Sequence, residues 1–135
     1  MRMLFRISVF LLAAALSLAA ADPHWAGTYI GDWSSNGVGG NGSFRLTLRS
    51  PAEGKWECQV MFTIGEREVK TTVKSLKIDA SQIEVSYEFD LSNNRLQSTI
   101  RGQLTGNKLE GAYQTKVVPD GPGVDEGAWK ATARQ

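Results

Sequence analysis

From residue 25 onward, apolar and polar side chains alternate in short runs. The clearest lies in residues 96–113, where Leu96, Ser98, Ile100, Gly102 and Leu104 share one phase and Gln97, Thr99, Arg101 and Gln103 the other. A period of two puts each set on its own face of a β-strand. Thr105 to Lys108 then supplies the Gly and Asn of a tight turn, and Leu109, Gly111 and Tyr113 resume the alternation, so the stretch reads as a β-hairpin. Six further runs follow the same pattern: Trp25 to Trp33, Ser43 to Arg49, Trp56 to Ile64, Arg67 to Ile78, Gln82 to Phe89, and Gly127 to Ala133. In the fourth of the eight, Val69, Thr71 and Val73 share a phase that Leu76 and Ile78 break. A bulge near Lys74 and Ser75 would turn both sets inward.

Eight short strands joined mostly by turns predict an all-β fold, an eight-stranded antiparallel up-and-down (meander) β-barrel. Closing the sheet buries its apolar face and removes its two exposed edges. A two-sheet sandwich is the alternative and would need the two long loops as crossovers. In a meander, successive turns fall at opposite ends. Loops 50–55, 79–81 and 105–108 are short and share one end; loops 34–42, 65–66, 90–94 and 116–126 share the other, which therefore carries both long loops. Long loops on a rigid frame are a common place for binding, although glycine-rich loops are also simply tolerant connections.

The first residues follow different rules. Arg2 and Arg6 precede an uncharged apolar run, Ile7 to Leu18, and Ala19-Ala20-Ala21 forms a small-residue cleavage site. This is the pattern of a secretory signal peptide over residues 1–21, with a single domain in residues 22–135. The run is short of the roughly 20 residues of a membrane span, no cysteine follows it for lipid attachment, and its arginines are not adjacent. The expected location is periplasmic or secreted, with no membrane anchor. The leader holds two basic residues and no acidic one, so the remainder carries thirteen basic residues against all fourteen acidic ones. That balance provides no electrostatic footprint for nucleic acid. Cys58 is the sole cysteine, which excludes an internal disulfide, and its place in an alternating run reads as an inert thiol.

Two segments carry a resemblance. Gly27-Thr28-Tyr29 in the first strand is similar to the Gly-x-Trp opening of lipocalins and the Gly-Thr-Trp of avidins. Ala128-Trp129-Lys130-Ala131-Thr132 in the last is similar to an avidin segment containing a ligand-contacting Trp. By pattern the chain resembles the calycin superfamily, which implies a barrel with a ligand in its mouth and places loop 34–42 where lipocalins have their lid. Tyr29 stands where Trp is expected, Gly31 where avidins have Asn, and the avidin Gly-Trp run in mid-chain has no counterpart. Biotin binding is therefore not carried over.

The inward phase is heavy in Phe44, Leu46, Leu48, Trp56, Val60, Phe62, Ile83, Val85, Phe89, Leu96 and Ile100, with glycines at 27, 31, 102 and 111 and a few hydroxyls. An apolar cavity with sparse polar groups is what small-molecule pockets look like; a filled core with tyrosines reaching to water at the rims is the other reading. The inward glycines either leave space or relieve crowding where strands coil. The candidate ligand-binding residues are Tyr29, Trp33, Tyr87, Ser98 and Tyr113, for a small apolar or amphipathic ligand at the barrel mouth. Trp25 and Trp33 lie near opposite ends of the first strand, one able to plug the closed end and the other to rim the mouth. The alternative is a protein-interaction module, an inhibitor or envelope accessory factor, using the same loops outward.

Enzyme chemistry has little support. The lone His24 and Cys58 are poorly placed for a dyad and too few for a zinc site. Asp120, Asp125 and Glu126 do not follow a calcium-loop spacing and read as a solvated turn. Gly37 to Gly42 has neither the lysine nor the following helix of a phosphate loop. No cofactor or metal is expected.

Overall fold

A computed structural model describes residues 25–134, so the predicted leader and His24 lie outside the described residues. The chain forms nine strands: β1 (Gly27–Ser35), β2 (Asn41–Ala52), β3 (Lys55–Ile64), β4 (Arg67–Val69), β5 (Thr72–Asp79), β6 (Gln82–Leu91), β7 (Asn94–Thr105), β8 (Lys108–Val117) and β9 (Gly123–Ala133). They make one antiparallel up-and-down sheet in the order β4-β3-β2-β1-β9-β8-β7-β6-β5, curled into a half-barrel. All neighbours are consecutive in sequence except β1 and β9, which pair from Tyr29↔Ala133 to Ser35↔Gly127.

Where eight strands were expected there are nine among the described residues, because the fourth run is broken at Lys70–Thr71. Its first part, β4, pairs with the end of β3 through Phe62↔Val69 and Ile64↔Arg67. Its second part, β5, pairs with β6 from Thr72↔Glu88 to Asp79↔Gln82. The run thus begins on one edge of the sheet and finishes on the other. At the crossing, the Thr71 hydroxyl donates to the Val60 carbonyl at 2.6 Å, tying β3 to the link. The expected bulge is present: the register passes from Val73↔Tyr87 to Ser75↔Ser86, leaving Lys74 unpaired. Val69 is buried, and Val73, Leu76 and Ile78 pack against the core from both phases.

One face of the sheet forms the core, including Tyr29, Leu46, Leu48, Val85, Ile100 and Leu109. Trp56 departs from its expected inward place and is exposed. The reason is its level on the sheet. β1 reaches β2 only as far as Gly27↔Leu48, and β4 reaches β3 only at residues 62–64. The tip of the β2–β3 hairpin thus projects past its neighbours, and Trp56 has no opposite wall. Cys58 is half-buried on the same stretch, and burial pushes its thiol up to about 12, so it stays protonated.

Three of the four glycines expected inward, Gly31, Gly102 and Gly111, relieve crowding, whereas Gly27 is exposed with open space around it. Gly102 and Gly111 face each other across β7 and β8. A Cβ on Gly111 would overlap the Arg101 carbonyl oxygen, and one on Gly102 would lie 2.5 Å from Cζ2 of Trp129. The two backbones come close here because no side chain separates them.

The turns alternate between the two ends as expected. At the end with short turns, the Trp25 indole is buried and donates to the Ala80 carbonyl at 3.1 Å. Trp25 plugs this end. The opposite end carries loop 36–40 and the 118–122 connection.

Candidate functional site

At the end bearing the long loops, the core opens into a cavity of about 230 Å³. Its walls are aromatic, formed by Trp33, Phe44, Phe62, Tyr87, Phe89, Tyr113 and Trp129, with Ile64, Leu91, Leu96 and Ile100 between them. Ser98 and Thr115 add hydroxyls, and Gly39, Val124 and Asp125 form part of the lining toward loop 36–40 and the start of β9. The inward phase of the strands delivers these rings to one place because the loop-proximal ends of β1, β2, β3, β6, β7, β8 and β9 curl around a common centre.

Each ring is held. Trp33 donates its indole N–H to the Thr63 carbonyl at 2.8 Å and meets Phe62 and Tyr113 edge-on, with centroids 6.1 and 5.9 Å away. Phe62 in turn meets Phe89 at 5.0 Å. Edge-to-face contacts of this kind contribute about 0.5–1.5 kcal/mol beyond area burial. Gly127 makes room for Tyr113, since a Cβ there would lie 2.8 Å from the tyrosine ring.

The polar groups form two sets. Ser98 and Thr115, both buried, satisfy each other with hydroxyl oxygens 2.5 Å apart. Toward the loops, the Tyr113 hydroxyl donates to Oδ2 of Asp125 at 2.8 Å and the Ser35 hydroxyl to Oδ1 at 2.6 Å. Ser35 Oγ also accepts the amides of Gly37 and Gly39, at 2.9 and 3.2 Å, while the Asn36 amide donates to the Glu126 carbonyl at 2.8 Å. Loop 36–40 is thereby pinned to the start of β9.

Four of the five expected site residues, Trp33, Tyr87, Ser98 and Tyr113, come together in the cavity wall. Tyr29 does not. It shares the phase of Trp33 but lies four residues away, about 13 Å along an extended strand, and its hydroxyl donates to the Trp25 carbonyl at 3.0 Å at the plugged end. Asp125 went unrecognised as a cavity residue. The glycine- and proline-rich segment before it reads as loop, yet β9 begins at Gly123, and a register shift leaves Val124 without a partner and sets Asp125 opposite Thr115. The signal was the phase, because Asp125 is in step with Gly127, Trp129 and Ala131.

Burial raises the pKa of all three tyrosines. For Tyr113, the carboxylate of Asp125 adds to the effect by accepting the phenolic proton and repelling the phenolate; for Tyr87, a hydrogen bond from Ser98 works against it. Unfolded tyrosines ionise near 10. Above that pH the unfolded chain loses protons that the folded chain keeps, so stability present below about pH 10 is lost as pH rises further. Thermal melts taken through the alkaline range are expected to show a falling midpoint that starts near pH 10. A flat midpoint through pH 11 would mean the tyrosines ionise normally in the fold.

Fold and cavity together define a curled up-and-down β-sheet with an aromatic-walled pocket at its loop-bearing end. Comparison with known proteins finds no matching family model, no similar curated protein and no similar solved structure. The strand arrangement is consistent with a barrel fold, and the calycin resemblance has only that pattern and its short motifs behind it.

Proposed function

We propose that this protein is an exported, calycin-like binding module that holds a small apolar or amphipathic ligand in the cavity at its loop-bearing end. Taking β4 and β5 as one kinked strand makes the fold an eight-stranded barrel fastened at Thr71, and residues 1–21 are its secretory leader. The observation that carries the reading is the cavity itself, about 230 Å³ and walled by rings fixed in place by their own hydrogen bonds and edge contacts. Apolar cavities of about 150 Å³ suffice to bind benzene, so this one has room for a substituted ring or a short branched chain. Trp33, Tyr87, Ser98 and Tyr113 are the proposed contacts, with Tyr29 withdrawn because it packs at the other end.

Native mass spectrometry of the protein purified gently from its source cells tests this. A reproducible added mass, lost on denaturation, is the expected result; a bare mass together with no affinity for small aromatic probes would refute it. Trp33→Ala is expected to weaken binding of whatever ligand is found by at least about tenfold, or about 1.4 kcal/mol. Affinity unchanged in a variant that still melts cooperatively would remove Trp33 from the site.

A protein-interaction role is the second reading. It is favoured by Val38, fully exposed on loop 36–40, and Val124, also exposed, which flank a polar groove over Gln97, Thr99, Gln114 and Lys116 on the outer face of β7 and β8.

A further inference from the structure

The cavity walls are aromatic and aliphatic, with two mutually satisfied hydroxyls. Among the described residues lining the cavity, Asp125 alone is charged. Its partners are both neutral, the hydroxyls of Ser35 and Tyr113, and among the described residues no cation lies within ion-pair distance of it. Lys116, the basic residue nearest in register, belongs to the outer phase of β8 and is exposed. Two donors leave an ionised carboxylate unused acceptor capacity, since its two oxygens offer about four lone-pair sites. The charge is therefore solvated by its neighbours but not neutralised.

A carboxylate set into an aromatic wall has a specific complement. Ring faces attract cations through their quadrupole, and desolvation strengthens the attraction. Tyr113 holds Asp125 and meets Trp33 edge to face, and Phe62 and Tyr87 line the same cavity. We propose that the cavity selects a small organic cation, an amine or quaternary ammonium on an aromatic or aliphatic body. In that pose the head is set at Asp125 beneath loop 36–40 and the body lies against the rings. The inference rests on the binding reading above and adds the ligand class to it. The same charge discriminates against carboxylate-bearing ligands such as fatty acids, whose head would face Asp125 across a partly desolvated gap.

The test uses three probes that share a phenyl body and differ in the head: 2-phenylethylammonium, 2-phenylethanol and phenylacetate. Affinities are measured on the purified protein by titration calorimetry or chemical-shift change. The expected order is ammonium first, at least about tenfold tighter than the alcohol, with phenylacetate weakest. Asp125→Asn is expected to bring the ammonium-to-alcohol ratio close to one. An alcohol that binds as tightly as the ammonium, or a preference that survives Asp125→Asn, overturns the assignment of ligand class and leaves the cavity reading standing. Failure of all three probes to bind overturns both. Should Asp125→Asn not fold, the wild-type ranking of the three probes decides the matter by itself.

Discussion

Trp129→Ala is expected to destabilise the protein by about 3–5 kcal/mol, the range for deleting a large buried aromatic side chain. Against a total stability of about 5–15 kcal/mol, that is a large fraction, and at the lower end of the range it leaves part of the population unfolded at ordinary temperature. The ring is 3 % exposed and sits at the centre of the sheet. Its strand pairs with β1 on one side, through Trp33, and with β8 on the other, through Gly111. The indole N–H is shared between the carbonyls of Arg101 and Ala112, at 3.3 and 3.2 Å, and the ring packs on Phe44 with centroids 5.2 Å apart. It also lies on Gly102, which has no side chain of its own to fill the void on that side. Trp129→Phe keeps a ring in the site and should recover more than half of the loss. Urea unfolding of both variants measures the difference; a Trp129→Ala midpoint close to wild type would show that the surrounding strands collapse into the gap.

Gly111→Ala is expected to destabilise by about 1–3 kcal/mol or more, and here the sign is the informative part. In an ordinary strand position this substitution stabilises, because alanine loses less chain entropy on folding. At Gly111 the added methyl would occupy the place of the Arg101 carbonyl oxygen and crowd the Cα of Gly102 at 2.6 Å. Backbone must move to admit it, and forced repacking in a dense core carries that penalty. Gly123→Ala is the matched control. A Cβ there meets only the Thr115 carbonyl at 3.8 Å, an ordinary contact, so its melting temperature should be unchanged or slightly raised. If the two alanine variants melt alike, the fold does not depend on the close approach of β7 and β8 at Gly111.

Strand phase was legible because each strand has one wet and one dry face: Phe44, Leu46 and Leu48 alternate in sequence and are buried in the fold. The Lys74 bulge was legible for the same reason, since apolar residues in two phases can share a core only if one residue is skipped. What alternation does not carry is position along the strand. Tyr29 and Trp33 have the same phase, and only the three-dimensional curl puts one at the plug and the other at the cavity. Trp56 has the right phase but lies past the end of its neighbours. The handover of the fourth run from β3 to β6 depends on how far the sheet curls, which is a sum over every strand pair and is written in no single stretch. Asp125 was hidden because Pro119, Gly121, Pro122 and Gly123 read as loop up to the point where the strand has already begun.

The pairing of β1 with β9 has a kinetic consequence. The other strand pairs join segments that are neighbours in sequence, and such hairpins close quickly. Tyr29 meets Ala133 across nearly the whole described chain. Contacts of such high sequence separation slow folding, because the loop entropy is lost before the contact repays it. β1 to β4 and β5 to β9 can each zip up as a local meander, but the first strand keeps a bare edge until the last one arrives. The central seam of the sheet thus cannot close until β9 has been made, and until then the nascent chain is held short of its native state.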